Sequence, residues 1–186
     1  MATDAPALVW GSALEGLFLR ALKDTMTPQL KAELKAAGLN LDAKIEPAYP
    51  AASAEQWIEL AARRQFPGFT HEEAMQRMGG LFFEGWQQTL LGKATAALLK
   101  VIGPTSALKR MNRNFRTGDN FTEAQFHENG PGDVVLRFSR MLAGPEYTRG
   151  IIQAGGRLTG AHDLSISIES QNPPAAVLRI RWNPGK

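Results

Sequence analysis

The sequence has 186 residues, a formal net charge of +3 and no cysteine, and hydrophobic residues make up 44% of it. This composition is typical of a single globular domain that buries a core without cross-links, and the lack of cysteine excludes a disulfide framework, a thiolate zinc site and a cysteine nucleophile. No uncharged apolar run is long enough to span a membrane, and the N-terminal segment has no basic region followed by an apolar one, so we expect a soluble cytoplasmic protein without a signal peptide.

The first predicted helix covers residues 8–23, because its apolar residues recur with helical spacing and place Phe18 and Leu22 on one face. Ser12, followed three residues later by Glu15, is typical of a capping box near the start of this helix. We therefore expect the fold to begin with an amphipathic helix.

Two further helices are predicted before residue 70. Thr27 before Pro28 is typical of a helix start, and Gly38 is typical of a helix end. The prolines in the segment 40–50 predict a loop. Ser53, with a glutamine at the capping-box position, predicts the start of the third helix.

A longer helical region begins at Thr70, which is followed three residues later by a glutamate and predicts a capping box. Its interior glycines predict a division into two helices near Gly92, or the close approach of another backbone or a ligand. The pair Gly103-Pro104 predicts the end of this region, and a short helix ending near Phe115 is expected to follow.

The C-terminal third predicts a small sheet with one helix. Residues 121–128 and 134–140 flank an Asn-Gly-Pro-Gly turn and predict a β-hairpin. A helix is expected over 145–158. Apolar and polar residues alternate over 164–169 and 177–182, which predicts two more strands.

The predicted fold is α+β, in which a helical subdomain (1–118) is followed by a ββ-α-ββ sheet-and-helix subdomain (119–186), and the two form a single domain. One face of the antiparallel sheet is apolar and is expected to pack on the helix. The opposite face carries Arg137, Arg179 and Arg181.

The residue chemistry gives no support for catalysis. The three histidines, His71, His127 and His162, are far apart and lack metal-ligand spacing, so we expect no metal site. No glycine-rich phosphate loop follows a predicted strand, and no serine elbow is present. We therefore expect a non-enzymatic protein, with an enzyme of a biosynthetic pathway as an alternative.

Positive charge is concentrated between Lys93 and Arg116, a stretch without an acidic residue. Its densest part, residues 109–116, places Arg110 and Arg113 on one predicted helix face. Three interpretations stay open: a solvated face, an anchor for a ligand carboxylate or phosphate, and a contact with an acidic protein partner. The small net charge predicts no nucleic-acid binding.

Aromatic residues and methionines are dense between residues 75 and 91, in a larger number than the packing of one helix requires. They form either an ordinary core or the lining of an apolar ligand pocket between the helical and sheet halves. The ligand-binding residues expected on the second interpretation are Phe18, Leu22, Phe82, Trp86, Met111 and Phe115, with Arg113 or Arg137 as the polar anchor.

The segment LRFSRMLAGPEYTRGIIQAGGRLTGAHDLSISIES and the later VLRIRW resemble the C-terminal half of H-NOX domains, the haem nitric oxide/oxygen binding family. That family has a strand ending in Tyr-x-Ser-x-Arg, then a helix rich in Gly, Leu and Ile, then two strands ending near a tryptophan. The chain length and the order of the predicted elements also match. The resemblance implies an H-NOX-like fold and a sensory or ligand-binding role.

The haem-binding residues implied by this resemblance are mostly not matched. Aligning Ser139 with the motif serine puts Arg137 at the tyrosine and Met141 at the arginine, so one of three haem-propionate contacts remains. The haem-ligating histidine is expected after the short mid-chain helix, but residues 107–118 contain none, and Arg113 stands there. We therefore expect the fold without haem and without another cofactor. Haem held by another axial ligand is an alternative.

The phrases GSALEGLFLRAL at 11–22 and RMNRNFRTG at 110–118 resemble a family of myxobacterial paralogues of uncharacterised function. This resemblance covers nearly the whole chain and implies no chemistry of its own.

The sequence as a whole predicts a non-enzymatic sensory or ligand-binding module that holds a small apolar or amphipathic molecule without haem. The first alternative is a protein-interaction module with a packed core, which uses residues 109–116 toward an acidic partner. The second alternative is a biosynthetic enzyme that uses the same cavity. A homodimer stays open in each case.

Overall fold

The computed structural model describes residues 6–184. The N-terminal segment for which we expect no signal peptide lies largely outside these residues. The helices are α1 (Gly11–Leu14, continued as a π-helix over Glu15–Ala21), α2 (Pro28–Ala36), α3 (Ala51–Gln65), α4 (His71–Gln87), α5 (Leu90–Lys109), α6 (Met111–Phe115) and α7 (Gly144–Leu158), with a 3-10 turn at Lys23–Thr25. The strands are β1 (Leu8–Trp10), β2 (Ala48–Pro50), β3 (Glu123–Gly130), β4 (Asp133–Arg140), β5 (His162–Asn172) and β6 (Ala175–Asn183). None of the helices within residues 6–184 combines the length and the hydrophobicity of a membrane-spanning segment.

A short strand, β1, stands where the apolar periodicity predicts the first turn of a helix. β1 pairs antiparallel with β2, and the backbone amide of Trp10 donates to the carbonyl oxygen of Gly118 at 2.9 Å. The predicted helix over 8–23 is therefore wrong at its start, and the predicted loop over 40–50 is wrong at its end. Both errors have the same cause, because the partners of these hydrogen bonds are remote in sequence.

Two of the predicted helix caps form, at Thr27 and Thr70, and those at Ser12 and Ser53 do not. Thr27 accepts a hydrogen bond from the amide of Leu30 at 3.1 Å, and Thr70 takes part in a complete capping box, so both predictions are confirmed. The boxes predicted at Ser12 and Ser53 do not form. The helices there begin immediately after β1 and β2, so the ends of the strands fix where these helices start.

The long helical region is divided as predicted. Thr89 caps the N-terminus of α5 by accepting the amide hydrogen of Gly92 at 3.0 Å. The predicted end at Gly103 is confirmed, because the backbone of Gly103 is non-helical, with a φ of +74°, and a second helical segment then runs to Lys109. Pro104 allows this because a proline fits the first position of a new helical segment.

Glycines of α4 allow close contact between helices. A Cβ atom on Gly79 would overlap the carbonyl oxygen of Tyr147 on α7, and one on Gly85 would overlap the carbonyl oxygen of Gly16 on α1. The close backbone approach predicted from the interior glycines is therefore present, and α4 is the central helix of the fold.

Strands β3 to β6 form an antiparallel sheet in the order β3-β4-β6-β5, and α7 contacts β5 and β6. Val134 pairs with Ile180, and Leu136 pairs with Leu178, and all four are buried on the face that α7 helps to cover. The α+β class and the ββ-α-ββ order are thus confirmed.

The opposite face of the sheet is polar and carries an ion-pair network. Arg179 donates to the carboxylate of Asp133 at 2.6 Å and lies 3.3 Å from a carboxylate oxygen of Glu169, while Arg181 lies 3.5 Å from Asp133. The hydrogen bonds from Arg179 hold the pKa of Asp133 at about 2. Arg137 is exposed on this face.

Candidate functional site

A cavity of about 90 Å³ lies between helices α4 to α7 and the buried face of the sheet. Each of these elements contributes side chains to the cavity wall. They include Trp86 from α4, Leu99 from α5, Phe115 from α6, Ile151 from α7 and Ile180 from β6. The cavity therefore lies where the helical and sheet parts of the fold meet.

The α4 wall of the cavity is aromatic. Phe82 and Trp86 are four residues apart and so project from one face of the helix, with Phe83 beside them. The ring centroids of Phe83 and Trp86 are 5.6 Å apart. Contacts of this kind hold the rings in place, so the wall is preformed.

The α6 wall is built in the same way. Met111 and Phe115 are four residues apart and both line the cavity. The ring of Phe115 also packs edge-on against Phe138 of the sheet, at 5.9 Å between centroids. This short helix is therefore fixed to the sheet on one side of the cavity.

Tyr147 of α7 lies in the cavity wall and carries a fully buried hydroxyl. Its side chain is 0% exposed, and its hydroxyl has no hydrogen-bond partner within residues 6–184. Burial raises the pKa of the Tyr147 hydroxyl well above its usual range, and the charge of nearby Asp119 adds to the rise. The group is therefore a neutral hydroxyl that still has a hydrogen to donate.

Asp119 lines the same cavity and is 3% exposed. Its carboxylate accepts hydrogen bonds from the amide and hydroxyl of Thr122, at 2.6 and 2.7 Å, and from the amide of Phe121 at 2.9 Å. Burial raises the pKa of Asp119, while these hydrogen bonds lower it, and the net direction is upward. Its main contacts thus stabilise the turn that leads into β3.

The structure brings half of the eight predicted site residues together. Phe82, Trp86, Met111 and Phe115 line the cavity. The other four residues lie outside the lining: Phe18 and Leu22 are buried in the core of the N-terminal helices, Arg113 is exposed on α6, and Arg137 is exposed on the outer face of the sheet.

The positions of the four outlying residues follow from geometry. The apolar helix face that contains Phe18 is buried against neighbouring helices of the N-terminal core, so it does not reach the cavity. Arg137 alternates with the buried Leu136 and so points away from the cavity. Neither predicted arginine anchor is at the cavity. Sequence reasoning missed Tyr147 as a polar residue of the cavity wall, because helical spacing predicts that this side chain is buried but not that its hydroxyl lacks a partner within residues 6–184.

Part of the basic segment 109–116 is paired. Lys109 lies 3.1 Å from Glu128, and Arg116 forms an ion pair with Glu123. Arg110 and Arg113 are exposed, and neither forms an ion pair with any residue in the described part of the chain.

The side chains that line the cavity do not offer a suitable axial ligand for a haem iron. None of His71, His127 and His162 lines it, and Met111 is the one lining side chain with a sulfur atom. Among residues 6–184, no group of three or more His, Asp or Glu side chains is placed to hold a metal ion. The residues present therefore do not fit an axially ligated haem.

Residues 7–183 match a family described as a protein of unknown function, DUF2378. No curated protein matches the sequence.

Solved structures of H-NOX domains match the fold over nearly its whole length. A structure described as probing the function of haem distortion in the H-NOX family has a TM-score of 0.69 at 12% identity, covering 95% of this chain and 96% of that one. A mutant H-NOX of T. tengcongensis has a TM-score of 0.67 at 11% identity, with 92% and 97% covered. An oxygen-binding H-NOX domain related to soluble guanylate cyclases has a TM-score of 0.65 at 12% identity, with 92% and 94% covered. The predicted H-NOX-like layout is confirmed.

Proposed function

Because the chain belongs to the DUF2378 family of proteins of unknown function and has an H-NOX-like fold, we propose that it is a non-enzymatic sensory module. It holds a small apolar or amphipathic molecule, without haem, in the cavity between α4, α5, α6, α7 and the sheet. The observation that carries this proposal is an apolar cavity whose wall includes Tyr147, a residue with a buried hydroxyl that has no hydrogen-bond partner within residues 6–184.

The lining supports a ligand of small size. An apolar cavity of roughly 150 Å³ stays dry and takes up benzene in a well-studied case. The present cavity of about 90 Å³ therefore suits a molecule with a few non-hydrogen atoms. Rings from Phe82, Trp86 and Phe115 offer it dispersion contacts on several sides.

The Tyr147 hydroxyl supports a ligand with one hydrogen-bond acceptor. A buried hydroxyl left without a partner costs about 1–3 kcal/mol, and a ligand oxygen or nitrogen that accepts its hydrogen removes this cost. Asp119 gives the same region a negative potential, which disfavours an anionic ligand. A neutral molecule with a single acceptor atom fits best.

Haem is not part of this proposal for two reasons. The lining offers no histidine, and a porphyrin is far larger than the cavity. The same lining offers no paired nucleophile and base, because its ionisable groups are Asp119, which is already hydrogen-bonded, and Tyr147, which stays neutral. A binding role is thus favoured over catalysis.

Native mass spectrometry of the purified protein tests the proposal. We expect a bound small molecule in the native spectrum that is absent after denaturation, and no haem absorption band. Ala107 is buried and lines the cavity, so Ala107→Leu should fill the space and eliminate the adduct. Ala32→Leu, at an exposed position of α2, is the matched control and should retain it.

Three results would contradict the proposal. The first is wild-type protein without any bound molecule. The second is full ligand occupancy in Ala107→Leu that is shown by circular dichroism to be folded. The third is a porphyrin in the preparation. Should Ala107→Leu fail to fold, Tyr147→Phe replaces it, and unchanged ligand occupancy in that variant contradicts the role of the hydroxyl.

The second candidate is a protein-interaction module that meets an acidic partner. It is favoured by the exposure of Arg110 and Arg113 and by their lack of ion pairs among residues 6–184. Cross-linking in cells should then give partner peptides attached near residues 109–116. These peptides should disappear when Arg110 and Arg113 are both replaced by glutamate, and unchanged cross-links would exclude this candidate.

A further inference from the structure

The outer surface of α5 carries an exposed apolar stripe. Leu90, Ala94, Leu98 and Val101 follow one another at spacings of four, four and three residues, which places them on one face of the helix. All four are exposed, with Leu90 at 90% and Val101 at 83%. We refer to these four residues as the α5 stripe.

The fold does not need the α5 stripe for its own packing. Gly92, Ala96 and Leu99 form the buried side of the same helix segment, and α5 makes its contacts with α4 and α7. The helix is therefore apolar on two opposite sides, one of which faces the solvent. Contiguous exposed apolar surface is a common feature of interaction sites.

The charged residues of α5 itself are all positive. Lys93 and Lys100, two helical turns apart, follow one edge of it, and both are exposed. Neither lysine forms an ion pair within residues 6–184. The sequence has no acidic residue between Glu84 and Asp119, so no carboxylate of this segment offsets these charges.

We propose that the α5 stripe lies in the interfacial region of a bilayer that contains anionic lipids, with Lys93 and Lys100 against the headgroups. Exposed leucines can enter the boundary between headgroups and acyl chains, and unpaired lysines beside them attract anionic headgroups. This inference concerns a different surface from the ligand cavity and does not rest on it.

The shape and charge of the stripe favour a lipid surface over a protein. Leu90 and Val101 project almost fully into solvent, so the stripe forms a convex ridge. A bilayer interface adapts to a convex apolar ridge without matching its shape. An antiparallel pairing with a second copy would bring the lysine edges of both helices together, which like-charge repulsion disfavours.

Co-sedimentation with vesicles tests the proposal on the full-length protein. The wild type should sediment with vesicles of phosphatidylglycerol and stay in solution with vesicles of phosphatidylcholine. Replacing both lysines (Lys93→Gln with Lys100→Gln) should weaken binding to phosphatidylglycerol by about thirtyfold. Added salt should weaken wild-type binding as well.

The apolar contribution is tested separately. Leu90→Gln combined with Val101→Gln should abolish sedimentation, whereas Leu19→Gln should not. Leu19 is also an exposed leucine but lies on the N-terminal helix. All these positions are exposed, so circular dichroism should show folded variants.

The proposal is overturned if the wild type does not sediment with phosphatidylglycerol. It is also overturned if the Leu90 and Val101 variant sediments as the wild type does, or if binding to the two lipids is equal. A wild-type dimer in light scattering that dissociates in this variant would assign the stripe to a second copy instead.

Discussion

Thr70 and Glu73 exchange two hydrogen bonds at the start of α4. The Glu73 amide donates to the Thr70 hydroxyl at 3.2 Å, and the Thr70 amide donates to the Glu73 carboxylate at 3.0 Å. Thr70→Ala should therefore lower the free energy of unfolding by about 1 kcal/mol in urea denaturation. Ser53→Ala is the control, because Ser53 makes no capping hydrogen bond. Equal losses in both variants would show that the box contributes nothing.

Asp133 gives the stability of the sheet a defined pH dependence. Its pKa in the folded protein, about 2, lies below the value of an unfolded aspartate. The ionised carboxylate thus stabilises the folded state above about pH 4, and this contribution disappears as the pH falls through the folded pKa. The wild type should be more stable than Asp133→Asn at about pH 7, and the gap should shrink at about pH 3. Urea denaturation at the two pH values measures it, and a gap that grows on acidification would refute the assignment.

The Tyr147 hydroxyl should have opposite effects on stability and on binding. In ligand-free protein, Tyr147→Phe removes an unpaired buried polar group, so the free energy of unfolding should rise by about 1 kcal/mol. In the same variant, the occupancy of the co-purified ligand should fall, because the donor is gone. Thermal unfolding of ligand-free protein and native mass spectrometry measure the two effects. A large loss of stability would indicate that the hydroxyl already has a partner.

Two adjacent glycines of α4 should respond in opposite ways to the same substitution. Gly79→Ala puts a methyl group against the backbone of α7 at Tyr147 and should cost about 3 kcal/mol. Gly80 has open space around the same position, so Gly80→Ala should stabilise α4 by up to about 1 kcal/mol. Denaturant midpoints of both variants decide this, and a similar change in both would contradict the close contact of α4 with α7.

Capping and turn residues predicted helices and strands well where the hydrogen bonds that define them join residues close in sequence. The caps at Thr27 and Thr70 and the hairpin before β4 are of this kind, because their hydrogen bonds join residues a few positions apart. The starts of α1 and α3 could not be predicted in this way. They are fixed by the pairing of β1 with β2 and by the contact between Trp10 and Gly118, which no local pattern encodes.

The resemblance of the C-terminal third to H-NOX domains predicted the overall fold, and the structural matches confirm it. The cavity lining was predictable only in part. Helical spacing places Phe82 and Trp86 on an apolar face, but it does the same for Phe18, which packs into the N-terminal core and does not line the cavity. Whether packing leaves a void depends on the volumes of residues from several elements, and a single helical pattern does not contain that information.

A crystal structure of the protein purified without added ligand is the sharpest test of the ligand-binding cavity. We expect electron density for a small molecule between α4, α6 and α7, with an acceptor atom within hydrogen-bond distance of the Tyr147 hydroxyl. A cavity closed by side chains, or one that holds a porphyrin, would contradict it.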